Sequence, residues 1–347
     1  MLGSGETSLA GGRVFESLAR VLPTPLRVVV LETPAGFEPN SAQVAGHVAD
    51  FLRTRLQNYR PEITVMAARK RGTPDSPEDA VLTGPLLGAD LAFMGPGSPT
   101  YAVRQLQNSL AWHRLIARHR VGATLAFASA AVVAVSAFAL PVYEIYKAGH
   151  DLSWQPGLDL FGAYGLKLVF VPHWNNSDGG VDLDTSRCYM GRARFEALLA
   201  MLPHDATIVG IDEHTALAAD LDSGTAEVMG AGDVTVFRFG DERQFSPGGR
   251  FPISEFGPFH LPQPDAGLPP QVWAEAQAVA QQRSAPAAAL DEVTALVAER
   301  KLVRERGDWP ASDALRERIT ALGWQVSDTP DGPVIARLGS KYGTAAD

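Results

Sequence analysis

The stretch that decides the fold class is Ala126-Phe127-Ala128-Ser129-Ala130-Ala131. It follows an apolar run that begins at Val121 and leads into a second, alanine-rich run typical of a helix. An apolar strand that turns directly into a helix is the repeating unit of α/β folds. The turn also holds a single serine between small residues, as a presented nucleophile requires, although the same pattern fits an ordinary helix N-cap.

Strand and helix patterns alternate on both sides of this turn. The strand patterns are short and rich in Val, Ile, Leu and Phe without strict alternation, which is typical of strands buried on both faces of a parallel sheet. They span Arg27–Glu32, Glu62–Ala67, Asp90–Met94, Val121–Ala126, Leu166–Val171 and Thr207–Ile211. The helix patterns between them span Leu9–Leu22, Ser41–Asn58, Thr100–His119 and Arg192–Leu202. We therefore expect an α/β fold with a doubly wound, mostly parallel sheet.

The second half of the chain changes in pattern. Two strand patterns, Ala226–Met229 and Val234–Phe239, flank a short glycine-containing turn and predict a hairpin. A proline-rich segment follows, and then come three helix patterns, at Gln271–Arg283, Ala287–Glu305 and Pro310–Leu322. We expect an α/β domain over residues 1–262, a proline-rich linker and helix over 263–287, and a small α-helical module over 288–338.

The composition narrows the class of protein. The 347 residues are 46% hydrophobic, enough for a large core, and the formal charge of −9 argues against a general nucleic-acid binder. Cys188 is the only cysteine, which excludes an intrachain disulfide and a multi-cysteine zinc site. We expect it to be a small buried residue in a reducing, cytoplasmic compartment. No membrane-spanning run or signal-peptide pattern is recognisable, so we expect no membrane partner.

The chain opens almost directly on the glycine turn Gly3-Ser4-Gly5. A turn of this kind usually follows a strand. We therefore expect either that the first strand is missing or that the true start lies upstream, and the sequence leaves both open.

Several predicted strands end in segments whose residues could take part in catalysis. In open α/β sheets, sites form beyond the carboxyl ends of the strands, where Gly95–Ser98, Ser129 and Pro172–Asn176 stand. A serine hydroxyl needs a base and an orienting acid to attack a carbonyl, and His173 is the candidate base. Backbone N–H groups of Gly97 or Ser98, with that of Ala130, would bind an oxyanion, whereas Pro96 has no N–H to offer.

Five blocks of the sequence resemble the serine peptidase family that contains peptidase E and cyanophycinase. The resemblance covers residues 1 to 250, and this family has a class I glutamine amidotransferase-like, flavodoxin-like fold. The blocks are Gly3–Glu6, Phe93–Gly97, Ala128–Ala131, Pro172–Asn176 and Gly210–Leu217.

The resemblance implies a Ser-His-Glu site that cleaves a peptide or amide bond of a small substrate, with no cofactor and no metal. Ser129 would be the nucleophile and His173 the general base. The family's acid stands fifteen residues after the serine, a position held here by Glu144. The site would also bind substrate through Trp174, Asn175 and Asn176.

Three departures from the family keep a second hypothesis open. Phe127 and Ala131 stand where the family's elbow has glycine, and Pro96 replaces the middle glycine of a triplet. A side chain at position 131 crowds a tight turn, and proline removes a donor. The alternative is therefore a catalytically degenerate hydrolase fold that binds a small ligand, a protein or a tRNA.

Other polar clusters carry weaker signals. Asp212, Glu213 and His214 follow a predicted strand, but three adjacent side chains of an extended strand do not converge on one ion, so we assign them to the structure or to a pocket wall. The acidic loop around Asp178 is expected to be solvated and to cap the pocket. The nearby arginines are expected in solvent, with an acidic substrate group as the alternative; they are Arg187, Arg192 and Arg194.

The C-terminal part resembles the tail of bacterial cysteinyl-tRNA synthetases. The resemblance covers about fifty residues, from Arg300 through Gly307-Asp308-Trp309 to the Asp328-Thr329-Pro330-Asp331-Gly332 end. Nothing of a synthetase catalytic domain is present, which excludes aminoacylation. Leu290–Arg337 contains seven Lys and Arg and nine Asp and Glu, and this net negative charge does not favour RNA binding. We favour packing or dimer contacts for this segment; a homodimer and a tRNA partner both stay open.

Overall fold

Parallel strands form the centre of the N-terminal part of the chain. A computed structural model describes residues 1–329 and 332–338, with side chains except at 284–290 and 337. The strands are β1 (Arg27–Leu31), β2 (Glu62–Met66), β3 (Leu91–Met94), β4 (Thr124–Phe127), β5 (Phe138–Ala139), β6 (Gln155–Pro156), β7 (Leu168–Val171), β8 (Thr207–Ile211), β9 (Thr215–Asp220), β10 (Thr225–Gly230), β11 (Val234–Arg238), β12 (Asp241–Phe245), β13 (Arg250–Pro252), β14 (Trp324–Thr329) and β15 (Gly332–Arg337).

Helices join most of these strands. They are α1 (Leu9–Ala19), α2 (Ser41–Arg55), α3 (Pro99–Leu106), α4 (Leu110–Arg120), α5 (Ala130–Ala134), α6 (Val142–Tyr146), α7 (Arg192–Leu199), α8 (Pro270–Glu305) and α9 (Trp309–Ala321). The chain divides into two compact units, the first spanning Met1–Ala276 and the second beginning at Gln277. No described helix combines the length and apolar content needed to cross a bilayer.

The first unit has the α/β fold expected from the sequence. Strands β2-β1-β3-β4 form a parallel sheet in that order, and β3 is buried along its whole length. Strands β7 and β8 are also parallel neighbours, with β11 and β12 added antiparallel. Apolar side chains pack on both faces of these strands, which accounts for their lack of alternation.

Residue Leu2 links β4 to the antiparallel strands. It pairs parallel with Ala128, just after β4, and antiparallel with Ala216 in β9. Strand β9 pairs in turn with β10, and β10 with β13. The first residues of the chain therefore lie between the serine turn and the segment that follows β8.

The hairpin predicted for residues 226–239 is wrong. Strand β10 pairs with β9 and β13, whereas β11 pairs with β8 and β12. The connection between β10 and β11 is anchored elsewhere: the Gly232 N–H donates to Thr215 Oγ1 at 2.8 Å and the Asp233 N–H to Asp212 Oδ2 at 2.9 Å. These bonds hold the connection in a conformation in which β10 and β11 belong to different sheets and do not pair with each other.

Two helix predictions also differ from the structure. The pattern over Thr100–His119 forms two helices, α3 and α4, because Asn108 has a left-handed φ of 57° and Ser109 starts a new helix by accepting the Trp112 N–H at 3.1 Å. The patterns over Gln271–Arg283 and Ala287–Glu305 form the single helix α8. Alanine is common between them, and its high helix propensity favours continuation.

The second unit has its own small core. Val293 and Leu296 of α8 pack with Leu315 and Ile319 of α9 and with Val326 of β14. The sequence predicts an α-helical module here, but after α9 the chain also forms an antiparallel pair of strands, β14 with β15. Pro330 and Asp331, which belong to the sequence pattern noted above, lie outside the described residues.

Candidate active site

Ser129 occupies a strained turn between β4 and α5. Its φ of 51° and ψ of −115° are unfavourable for a residue with a side chain and cost about 1–3 kcal/mol. Its N–H donates to Leu2 O at 3.2 Å, which ties the turn to the neighbouring strand segment. Such a turn lifts the hydroxyl above the end of the sheet, as a nucleophile elbow does. The Ser129 side chain makes no N-cap bond to α5.

The residues that depart from glycine fit this turn without disturbing it. Phe127 is 1% exposed and packs in the larger apolar cluster, on the opposite face of the strand from Ala126 and Ala128. Ala131 is fully buried in the first turn of α5. The elbow therefore keeps its shape because these side chains are part of the core.

His173 forms a hydrogen bond with the Ser129 hydroxyl. It lies two residues beyond β7, and its Nε2 is 2.8 Å from Ser129 Oγ. Its φ of 51° is also left-handed, which turns the ring back over the end of the sheet. The neighbouring turn has left-handed φ values at three successive residues, Arg187, Cys188 and Tyr189, and the Cys188 N–H donates to His173 O at 3.2 Å. Strained backbone of this density is typical of functional sites.

Glu213 is the acid that contacts His173. His173 Nδ1 lies 2.9 Å from Glu213 Oε1. Both residues stand two positions past the ends of adjacent parallel strands, β7 and β8, so the sheet brings them together. An ionised carboxylate only accepts hydrogen bonds, so Nδ1 carries the proton and the neutral ring leaves Nε2 free to accept from the Ser129 hydroxyl.

Glu144, which the sequence suggested as the third member, contacts a different residue. Its Oε1 accepts the Thr100 hydroxyl at 2.5 Å, and its Oε2 is buried without a hydrogen-bond partner among the described residues. The fifteen-residue spacing places it on α6, whereas Nδ1 of His173 faces the end of β8. The prediction that Glu144 orients His173 is corrected by this geometry.

The block after His173 supports Glu213. The Asn176 side-chain N–H donates to Glu213 Oε1 at 3.0 Å, and Asn175 Oδ1 accepts the Glu213 N–H at 2.9 Å. Trp174 is 5% exposed and lies against the rings of Phe195 and Phe237. We expected these three residues to bind substrate; instead the two asparagines hold the acid and the tryptophan belongs to the core.

The N-terminal glycine turn lies behind Glu213. A Cβ on Gly3 would stand 2.1 Å from Asp212 O, so only glycine permits this close approach. The His214 N–H donates to Ser4 Oγ at 3.2 Å. Asp212 and His214 therefore brace the loop, as a structural assignment predicts, while Glu213 between them turns towards His173. Two parallel strands with polar residues at the same offset past their ends were the signal that could have found Glu213.

The backbone N–H groups of Gly97 and Ala130, which the sequence suggests as oxyanion donors, have no acceptor among the described residues. Ala130 is the first residue of α5, where helical N–H groups lack an intrahelical partner. Ser98, the other expected donor, is engaged, because its N–H donates to Pro34 O at 2.8 Å. Gly97 has a φ of 143°, and a Cβ there would stand 2.0 Å from Pro34 O.

Burial raises the pKa of two side chains near His173, Tyr189 and Cys188. The ring of Tyr189 lies 5.6 Å from the His173 ring, and its hydroxyl donates to Asp178 Oδ2 at 3.2 Å. Burial and the nearby Asp178 carboxylate raise the pKa of Tyr189 to about 12. Cys188 is buried as predicted, and burial, assisted by the charge of Glu213, raises the pKa of its thiol to about 12. Neither group is an acid or a nucleophile near neutral pH.

The arrangement suits proton transfer from a hydroxyl. One hydrogen-bonded path joins Ser129 Oγ to His173 and His173 to Glu213, over distances of 2.8 and 2.9 Å. The Ala130 N–H, which directly follows Ser129 in the chain, has no acceptor among the described residues, and the His173 side chain is 14% exposed. Within the described part of the chain, no group of three or more His, Cys, Asp or Glu side chains is arranged to hold a metal ion.

Two solved structures align with most of this chain. A peptidase from an acI-B1 actinobacterium aligns with a TM-score of 0.58 and 20% identity over 72% of this chain and 94% of that chain. A putative peptidase E protein from Listeria monocytogenes EGD-e aligns with a TM-score of 0.41 and 13% identity, over 71% of this chain and 96% of its own. The first alignment shows a common fold. No protein-family model matches the chain.

A short segment is similar to cysteine–tRNA ligases. The identity is 46% over 46 residues with the enzyme of Rubrobacter xylanophilus and 50% over 46 residues with that of Methanosarcina mazei. In both cases the match covers 13% of this chain and 10% of the ligase. The chain thus spans only about a tenth of the length of these curated relatives.

Proposed function

We propose that the protein is a serine hydrolase that cleaves a peptide or amide bond of a small substrate. The observation that carries the proposal is the hydrogen-bonded path from Ser129 through His173 to Glu213. A serine outside an active site rarely combines a strained left-handed backbone with a hydrogen bond to a histidine that a carboxylate orients. The fold shared with a peptidase supports the same reaction class.

In the proposed reaction, Ser129 Oγ attacks the carbonyl carbon while His173 Nε2 takes the hydroxyl proton. Glu213 stabilises the imidazolium that forms, and Asn176 keeps the Glu213 carboxylate in place. The Gly97 and Ala130 N–H groups bind the oxyanion. His173 then gives its proton to the leaving amine, and water hydrolyses the acyl-enzyme with His173 again as the base.

A fluorophosphonate probe and a dipeptide panel test the proposal together. Intact-mass spectrometry should show a single adduct on the wild-type chain and none on Ser129→Ala or His173→Ala. Turnover of the best dipeptide should fall by about 10³-fold or more in both variants. The buried Ser136 supplies the control, because its hydroxyl contacts only backbone and Ser136→Ala should retain labelling at Ser129.

Two results would contradict the hydrolase. Turnover retained by Ser129→Ala would exclude Ser129 as the nucleophile. An unlabelled, inactive wild-type chain that still binds dipeptides would favour the degenerate, ligand-binding alternative.

A second candidate function belongs to the C-terminal unit, where we propose that an unpaired segment of a tRNA docks. A cleft of about 300 Å³ lies between α8, α9 and the β14–β15 pair, lined in part by Lys301, Arg304 and Trp309. The Arg304 guanidinium lies 5.2 Å from the centre of the Trp309 ring, and Trp309 is 57% exposed. An exposed ring beside an arginine can stack a base. A phosphate would compete with Asp328, which also lines the cleft and pairs with Arg304 at 3.0 Å. The short similarity to cysteine–tRNA ligases supports this candidate.

The test is binding of labelled bulk tRNA to the full chain at low salt, where phosphate contacts are strongest. Trp309→Leu and Arg304→Ala should each weaken binding about tenfold or more. Arg318→Ala is the matched control, since Arg318 is exposed on α9 and does not line the cleft. Absence of binding at low salt would overturn the candidate.

A further inference from the structure

We propose that Glu144 is a positioning residue that holds the oxyanion loop, defined here as residues 95–100. The inference rests on the proposed hydrolase and adds a residue whose role differs from that of the Ser-His-Glu path. Its basis is a directed chain of hydrogen bonds that begins at the Glu144 carboxylate, passes through the Thr100 and Ser98 side chains of the loop and ends on the Tyr101 N–H in the first turn of α3.

The direction of the chain follows from which atoms can donate. Glu144 Oε1 accepts from Thr100 Oγ1 at 2.5 Å, so the Thr100 proton is committed to the carboxylate. The contact between Ser98 Oγ and Thr100 Oγ1, at 2.9 Å, must then use the Ser98 proton. Ser98 Oγ in turn accepts the Tyr101 N–H at 3.2 Å, which caps α3. Glu144 thus selects one orientation for both hydroxyls.

A second set of contacts fixes the other side of the loop. The Ser98 N–H donates to Pro34 O at 2.8 Å, and Gly97 lies so close to the same carbonyl that a side chain cannot fit. The Gly97–Ser98 peptide, next to the one that carries the Gly97 N–H, is therefore anchored on the Pro34 carbonyl. Ser98 is 6% exposed, so water does not easily replace a lost partner.

The surroundings of Glu144 show which part of the side chain is needed. Oε1 makes the bond to Thr100, while Oε2 is buried without a partner among the described residues. A neutral amide keeps a carbonyl oxygen for the Thr100 hydroxyl, so glutamine preserves the chain of bonds. Alanine at position 144 removes the acceptor, after which the Thr100 proton is free to turn towards Ser98 and reverse the chain. Valine at position 100 removes the hydroxyl that links Glu144 to Ser98.

The experiment measures the second-order rate of fluorophosphonate labelling at Ser129, which requires no knowledge of the natural substrate. Glu144→Ala and Thr100→Val should each label about 10- to 100-fold more slowly, less than the roughly 100- to 1,000-fold loss from deleting an oxyanion donor. Glu144→Gln should label within about threefold of wild type. The double variant should be no slower than the slower single variant, because both changes break one chain.

A merely structural role for Glu144 predicts a different set of results. It predicts that labelling falls in proportion to thermal stability and that glutamine fails to rescue it. With the best dipeptide, our proposal expects kcat to fall while KM changes little, and the pH dependence assigned to His173 to stay in place. A shifted pH profile in Glu144→Gln would instead mean that Glu144 acts on His173, and would overturn the proposal.

The proposed hydrolase and the proposed role of Glu144 are contradicted by different results. If the wild-type chain is neither labelled nor active, the proposed hydrolase fails. If wild type is labelled and both Glu144→Ala and Thr100→Val react at the wild-type rate, only the role of Glu144 fails. Wild-type rates in Thr100→Val alone would exclude the hydrogen-bond chain as the route.

Discussion

Two glutamates near the candidate active site have contrasting surroundings. Glu213 follows β8 and shares one oxygen between His173 and Asn176, at 2.9 and 3.0 Å. Glu144 lies on α6 and contacts Thr100, away from the histidine. The comparison teaches that the orienting acid is selected by strand adjacency, since the ends of parallel neighbours β7 and β8 meet, and not by its spacing from the serine.

The same comparison separates two tasks that a carboxylate can perform in one site. A carboxylate on the histidine holds a tautomer and balances a charge that appears during the reaction. A carboxylate on a hydroxyl chain sets the geometry of backbone donors and needs only an acceptor atom. Variants that keep shape but remove charge therefore distinguish the two glutamates.

The largest effect is expected from Glu213→Gln. The glutamine amide is a weaker acceptor for the imidazole proton than the carboxylate, and it has no negative charge to stabilise the imidazolium. The value of kcat should therefore fall by about 10³- to 10⁴-fold. Measurement of kcat with the best dipeptide, beside Glu144→Gln as the control, checks it. Equal losses in the two variants would break the comparison between the two acids.

A smaller effect is expected from Gly97→Ala. The new Cβ meets Pro34 O at 2.0 Å and the φ of 143° becomes strained, so the oxyanion loop must shift. Labelling at Ser129 should slow by about 100-fold, and the unfolding free energy should drop by about 1–3 kcal/mol. Gly84→Ala is the control, because nothing lies within 4 Å of the Cβ it would add. Unchanged labelling would argue that the loop supplies no oxyanion donor.

Asn176→Ala should cost less than either change. It removes one of the two hydrogen bonds to Glu213 Oε1, and also the acceptor of the Asp178 N–H, and it leaves the bond from His173 to Glu213 in place. One lost bond to a charged group corresponds to about 1.5–3 kcal/mol, so kcat should fall by about tenfold to hundredfold. Asn58→Ala is the control, because Asn58 is an exposed amide in the connection between α2 and β2. A full loss of activity in a folded Asn176→Ala would mean that Asn176 contacts the substrate itself.

The smallest effect concerns Cys188, the other side chain with nucleophilic chemistry near Glu213. Burial raises the pKa of its thiol to about 12, so the thiol stays protonated below that pH and becomes a thiolate only as the pH rises towards 12. Iodoacetamide at pH 8 should therefore leave the native chain unmodified and modify it after denaturation. Rapid modification of the native protein would show that Cys188 is accessible and would weaken the case for Ser129 as the nucleophile.

The elements that follow from local pattern were predicted well. Apolar runs of four to six residues gave β1, β3, β7 and β8 within a few residues, because strands buried on both faces have no polar positions. Ser129 and His173 were recognised because each stands where a strand pattern ends. Hydrogen bonding between residues 2 and 128 or 216 could not be predicted in this way, because one pairing residue leaves no pattern.

The residues of the candidate site also divide into those that the sequence predicts and those that only the tertiary structure brings together. The sequence by itself determined an α/β fold with a parallel sheet, the position of the serine at a strand-to-helix turn, and a histidine at the end of another strand. These features depend on short apolar runs and on the turn residues that end them, which are local in the sequence. Tertiary structure decided that Glu213 rather than Glu144 contacts His173, that Asn175 and Asn176 hold that acid, and that β10 and β11 separate. These outcomes depend on which strands become neighbours, and strand order is settled by the packing of the whole core, where contacts join residues far apart in the chain.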